Sequence, residues 1–118
     1  MTVTVITLLK RRDGMSKADF IAYYEDHHRR IGEQVLAGRA TRYVRRYLHP
    51  LDGADQACDA DVVMEIDFAD TAARDACFAA LAEPAVAAMI AEDEARLFDR
   101  SRIRTFTVDE RPSTLAPA

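Results

Sequence analysis

Thr2 to Lys10 reads as a β-strand that is apolar on both faces. Side chains alternate along a strand. Val3, Val5, Thr7 and Leu9 therefore fall on one side, and Thr4, Ile6 and Leu8 on the other. A strand of this kind has to be covered twice. Helices of the same chain supply one cover, and the second calls for another sheet or another copy of the chain.

The remaining elements follow from periodicity and punctuation. Arg11 to Met15 is a turn marked by Asp13-Gly14, and Ser16 caps a helix with Asp19 three residues on. That helix is expected to run to about Ala37, where Gly38 ends it. Phe20, Tyr24, His28, Ile31 and Val35 form its inward stripe, flanked by Tyr23 and His27. Thr41 to His49 is a second strand, stopped by Pro50. Thr41, Tyr43, Arg45, Tyr47 and His49 share one of its faces, and Arg42, Val44, Arg46 and Leu48 the other. A loop from Leu51 to Ala60 leads to a third strand, Asp61 to Phe68. There Val62, Met64, Ile66 and Phe68 make an apolar face, while Asp61, Val63, Glu65 and Asp67 point away from it. Asp70 or Thr71 caps a helix to about Ala82, with Cys77, Phe78 and Leu81 inward. Pro84 opens another, to about Phe98, on the stripe Val86, Ile90, Asp93 and Leu97. Arg102 to Val108 is the last strand.

The order β-α-β-β-α-β is the ferredoxin-like pattern of the α+β class, a four-stranded antiparallel sheet with helices on one face. Residues 1–110 make one domain, and 111–118, RPSTLAPA, a flexible tail. The open sheet face predicts a homodimer packed sheet to sheet.

The totals narrow the function. At 118 residues with a net charge of −4, the chain gives no reason to expect nucleic acid or a membrane surface as partner. Ten of its sixteen basic residues lie between Lys10 and Arg46, which reads as solvated faces or, alternatively, as a site for an anionic ligand near Arg42, Arg45 and Arg46. Two cysteines, Cys58 and Cys77, make neither a disulfide framework nor a zinc site. No segment reaches membrane-spanning length, and MTVTVITLLK lacks a basic leader, so a cytoplasmic protein is expected. Nucleotide-binding glycine loops and nucleophile elbows are missing, so no cofactor is expected.

Several residues are candidates for chemistry. His28 places an imidazole, a group that ordinarily changes charge near neutral pH, on an inward helix face, where it is either a general acid or base or a satisfied core histidine. Neighbouring His27 points about 100° away, which argues against a metal pair. Tyr24, one turn before His28, either donates to a substrate oxygen or packs in the core. Tyr43 and Tyr47 line a polar-aromatic pocket or an exposed edge-strand face. Glu65, beside Val63 on the face away from the helices, enters a cavity if a second subunit closes over it, and otherwise forms an ion pair. Asp93 stands on an apolar stripe and needs a partner, for which Arg104 is one possibility.

The pattern Lys10-x-x-Asp-Gly-Met-Ser-x-x-x-Phe20-x-x-x-Tyr24-x-x-x-His28 resembles the EthD-like family of dimeric α+β barrel proteins. Arg42-Tyr43-Val44-Arg45, Glu65-Ile66-Asp67-Phe68, Phe78 and Asp93-Glu94 followed by Phe98 agree with it over roughly residues 3 to 110. The resemblance implies a homodimer whose sheets pack into a barrel, with a cavity in each subunit. It also implies a link to degradation of ether compounds beside an oxygenase system or, in fungal relatives, to polyketide dehydration. The related methylmuconolactone isomerases use a histidine on this helix and a tyrosine at the start of the second strand. His28, or His27 in a register shifted by one, and Tyr43 are the matching positions. The expectation is therefore a small cofactor-independent enzyme acting on a hydrophobic oxygenated molecule. His28, Tyr43 and Glu65 would be catalytic, Tyr24, Tyr47 and Asp93 substrate-binding, and no metal is involved. The alternative is a non-catalytic small-molecule binder serving an oxygenase or degradation pathway.

Overall fold

The computed structural model describes residues 2–118. Its elements are β1 (Val3–Leu9), α1 (Lys17–Tyr23), a π-helical turn (Tyr24–His28), α2 (Arg29–Leu36), β2 (Arg42–Tyr47), β3 (Val62–Phe68), α3 (Thr71–Leu81), α4 (Pro84–Glu94), a 3-10 turn (Arg100–Arg102) and β4 (Arg104–Thr107). The strands form one antiparallel sheet in the order β2-β3-β1-β4. This is the expected ferredoxin-like α+β fold.

Local chemistry sets the boundaries. The Ser16 hydroxyl accepts from the Asp19 backbone N–H at 3.1 Å, which satisfies one orphan donor of the first turn. Asp70 does the same for Ala73 at 2.7 Å. Gly14 takes a positive φ of 81° in the turn after β1, and Gly38 one of 74° where α2 stops, conformations that favour glycine.

One expectation changes. The first helix does not run unbroken from Ser16 to Ala37, because Tyr24–His28 widens into a π turn. Its closing bond runs from the Arg29 N–H to the Tyr24 carbonyl, five residues back. The last helix also stops earlier than expected, at Glu94, and an irregular segment carries Leu97 and Phe98 into the core.

Helices cover one sheet face, and the core forms there as two clusters. One contains Leu9, Phe20, Tyr24, Val62, Leu97 and Phe98; the other contains Val5, Leu36, Ile66, Phe68 and Cys77. Fully burying a side chain such as Phe20 is worth about 1.5–3 kcal/mol. The Arg12 N–H donates to the Leu97 carbonyl at 2.9 Å and the Asp99 N–H to the Lys10 carbonyl at 2.8 Å. These bonds tie the segment after β1 to the end of α4, and so bring Asp93 beside the π turn. The other sheet face carries Ile6, Leu8, Val63 and Phe106 with no cover from this chain, and Phe106 is 40% exposed. No helix among the described residues is long and apolar enough to cross a membrane.

Candidate functional site

Between the two core clusters lies a cavity of about 190 Å³. Its walls are mainly apolar, including Val5, Leu9, Ile31, Met64, Ile66 and Ile90. Polar groups reach it from five elements: His28 from the π turn, Tyr43 from β2, Glu94 from α4, and Thr7 of β1 beside Thr105 of β4.

His28 is nine-tenths buried, and its Nδ1 lies 2.8 Å from Asp93 Oδ2. Burial works against the charged form of Asp93. The hydrogen bonds from Tyr23 and His28 outweigh that and hold its carboxyl below the ordinary value. An ionised carboxylate only accepts, so Nδ1 carries the proton toward Asp93. With its proton on Nδ1, the imidazole in its uncharged form has a lone pair at Nε2, which no hydrogen bond among the described residues engages. Tyr23 donates to the second oxygen, Asp93 Oδ1, at 2.5 Å. The carboxylate is thus clamped from two positions of the same helical segment, and the imidazole ring is fixed. His27 is exposed and stacks against Tyr23 with ring centroids 4.8 Å apart.

Tyr24 is fully buried, and its hydroxyl lies 3.3 Å from that of Tyr43 and 3.5 Å from Met64 Sδ. Burial, reinforced by Tyr43, pushes the Tyr24 phenol well above its ordinary range, and burial raises Tyr43 as well. Both remain protonated donors. Tyr43 reaches this position only because residue 32 is glycine. A Cβ at Gly32 would sit 2.7 Å from the Tyr43 hydroxyl oxygen and 2.9 Å from two ring carbons.

A second polar cluster stands beside the first. Arg45 grips Glu25 with two bonds, from Nε at 2.7 Å and Nη2 at 2.9 Å, and Tyr47 donates to the same carboxylate at 2.5 Å. The Arg45 hydrogen bond, against the cost of burial and aided by Tyr47, lowers the Glu25 carboxyl below its ordinary value.

The candidates therefore separate. His28, Tyr24 and Tyr43 line one cavity, and Asp93 stands directly behind His28. Tyr47 does not line it; its ring packs on Phe20 and Tyr24 and its hydroxyl is spent on Glu25. Asp93 binds His28 and Tyr23 rather than Arg104, which pairs with Leu8 across β1–β4 and stacks over Phe106. Glu65 stays on the face away from the helices, bound by Arg42 at 2.7 Å and Arg46 at 3.1 Å, and does not meet His28. The pleat is the reason: Met64 and Ile66 point into the cavity, so Glu65 between them points out. Gly32 and Glu94 belong to the cavity too. A mid-helix glycine facing an inward tyrosine was a readable signal for Gly32; Glu94, one residue from Asp93, carried none of its own. Among the described residues no cluster of side chains is arranged to hold a metal.

Comparison with known proteins places this geometry. No curated protein matches the chain in sequence. Among solved structures it is similar to an ethyl tert-butyl ether d (EthD) family protein from Bacillus halodurans, with a TM-score of 0.66 and 13% identity over 94% of this chain and 100% of that one. A dimeric ferredoxin-like protein of unknown function from Thermobifida fusca has a TM-score of 0.62 and 14% identity over 92% of this chain and 90% of its own. SnoaB from Streptomyces nogalater, described as a cofactor-independent oxygenase, has a TM-score of 0.55 and 15% identity, covering 95% of each chain. At these identities the structural matches show a shared fold. The EthD domain model matches residues 12–101, a span that runs from the turn before α1 to the 3-10 turn before β4, and the chain belongs to that family.

Proposed function

We propose that this protein is a small enzyme that moves a proton on a hydrophobic, oxygenated small molecule without a bound cofactor. One observation carries the reading: a histidine whose Nδ1 is held by a clamped carboxylate, with Nε2 free, at the wall of an apolar cavity. In that state His28 accepts a proton from a carbon next to a carbonyl, and Asp93 stabilises the imidazolium that results. The hydroxyls of Tyr24 and Tyr43 donate to the substrate oxygen, and Gly32 sets where Tyr43 stands. The cavity is smaller than the ~300–1,000 Å³ typical of ligand sites. Its occupant is one or two rings, or the reactive end of something longer.

A second copy on the open sheet face completes the assembly, as support from the dimeric relative suggests. Sedimentation at micromolar concentration should return the mass of a dimer, and a monomer refutes it.

The reading is tested with 2-tetralone, a bicyclic ketone, as probe. Wild-type protein in D₂O should accelerate deuterium exchange at the carbons beside the carbonyl, followed by NMR. His28→Ala should lower that rate about 10²–10⁴-fold with the circular dichroism spectrum unchanged. Exchange at the wild-type rate in a folded His28→Ala protein sinks the proposal.

A further inference from the structure

Glu94 is a carboxyl on the wall of the same cavity, and nothing so far gives it a task. Its side chain is 19% exposed, and its one salt-bridge partner among the described residues is the Nε of Arg100, 3.5 Å from Oε1. Arg100 is itself 54% exposed, so that contact is a weak, solvent-screened one. The adjacent residue makes the contrast plain: Asp93 accepts short hydrogen bonds on both oxygens, whereas no hydrogen bond among the described residues reaches the Glu94 carboxyl. Burial raises the Glu94 carboxyl above its ordinary value, and Arg100 and His28 only partly offset this.

Two neighbouring carboxyls are thus in opposite conditions. Asp93 is kept ionised, as a partner for an imidazolium. Glu94, on the cavity wall without a short hydrogen bond, is held less firmly in its charged form. Proton removal by His28 alone would leave an enolate, whose charge an apolar cavity tolerates poorly. Tyr24 and Tyr43 orient the oxygen, but their raised phenols give up a proton reluctantly. A carboxylic acid is a stronger acid than a phenol, so Glu94 on the same cavity wall releases a proton more readily.

We infer that Glu94 is a second proton-transfer residue of this cavity, the acid that protonates the substrate oxygen as His28 deprotonates the neighbouring carbon; this rests on the proton-transfer reading above. The step balances within the site. His28 Nε2 takes the proton from carbon. The C–H electron pair becomes the C=C bond, and the carbonyl π pair takes the proton from the Glu94 carboxyl. Enol, imidazolium and carboxylate result, and the reverse step returns a solvent deuteron to carbon.

The same 2-tetralone exchange assay, with His28→Ala as reference, decides the matter. Glu94→Gln keeps the size and a hydrogen-bond donor but has no proton to give. It should lower kcat for exchange at least tenfold and leave KM within about twofold. Glu94→Asp should keep a measurable share of the rate, and Glu94→Ala should recover rate when formate buffer is added. Full kcat in Glu94→Gln while His28→Ala is inactive overturns the Glu94 role and leaves the His28 reading standing. Full rate in folded His28→Ala, or no exchange by the wild-type protein, overturns both. Should Glu94→Gln fail to fold, the Ala variant with and without formate makes the same comparison, and absence of rescue counts against the role.

Discussion

Two polar clusters stand within one helical segment, and they differ in what they leave unfinished. Glu25 is gripped by Arg45 through two bonds and by Tyr47 through a third. It closes the contact between the π turn and β2 and has no role left to fill. Asp93 is gripped as tightly, by His28 and Tyr23, but its histidine has a second nitrogen that the chain does not use. Charge, burial and short hydrogen bonds are common to both. A spare nitrogen on a residue that lines a cavity is not, and it separates a candidate site from a brace. Tyr43 joins the two clusters: Arg45 lies 5.0 Å from its ring centre, and its hydroxyl faces Tyr24 across the cavity.

Breaking the open cluster should be felt first in turnover. Asp93→Asn keeps the shape but removes the acceptor that fixes the tautomer of His28. Exchange of 2-tetralone should fall roughly a hundredfold, by analogy with the cost of losing a general base, while binding of the ketone persists. Steady-state rates by NMR check this. A variant as fast as wild type would mean that the clamp on His28 is only structural.

The joint between the clusters gives the next effect. Alanine normally outperforms glycine inside a helix by about 1 kcal/mol. At position 32 the sign should reverse, because the added methyl collides with Tyr43. Overpacking of this kind costs about 1–3 kcal/mol, visible as a lower urea midpoint. Combining Gly32→Ala with Tyr43→Ala should remove the penalty. A penalty that persists in the double variant would assign the strain elsewhere.

The smallest effect belongs to the closed cluster. Glu25→Gln should cost about 1 kcal/mol, since the Glu25 side chain is 35% exposed and solvent screens the pair, with exchange activity nearly unchanged. The pH dependence carries a definite sign. The Glu25 carboxyl is lower in the folded state than in the unfolded chain. Its stabilisation is therefore present above the ordinary glutamate range and is lost as pH falls through the folded value. Acid titration of stability should be shallower in Glu25→Gln than in wild type, with the two curves converging at the acid end. Parallel curves would show that Glu25 contributes no such linkage.

Most of the fold was legible from alternation and punctuation, since strands one and three, the caps at Ser16 and Asp70 and the stop at Gly38 each depend on residues close in sequence. The site was legible in part. His28, Tyr24 and Tyr43 stood out as polar groups on inward faces. The partner of Asp93 did not, because the choice between His28 and Arg104 depends on how α4 crosses the first helical segment, a contact 65 residues apart in sequence. Glu65 was read on the sheet face away from the helices, where the pleat does put it, but its pairing with both Arg42 and Arg46 depends on the register of β2 against β3. The π turn has no local signature in Tyr24-Glu25-Asp26-His27-His28; it is held by what Glu25 and His28 bind at a distance.

That wide turn has a consequence for how this chain tolerates insertion and deletion. A helical segment with one residue more than regular winding requires is out of phase beyond it. Removing one residue between Tyr24 and His28 would let the backbone close into an ordinary α-helix with the positions beyond it still on their present faces, whereas removing Arg30 from the regular winding of α2 would rotate everything downstream by about 100°. Gly32 would leave its place over Tyr43, and Leu36 would leave the core. A gap placed inside the π turn in an alignment therefore leaves the cavity wall beyond it in place, whereas a gap inside α2 marks a change of that wall.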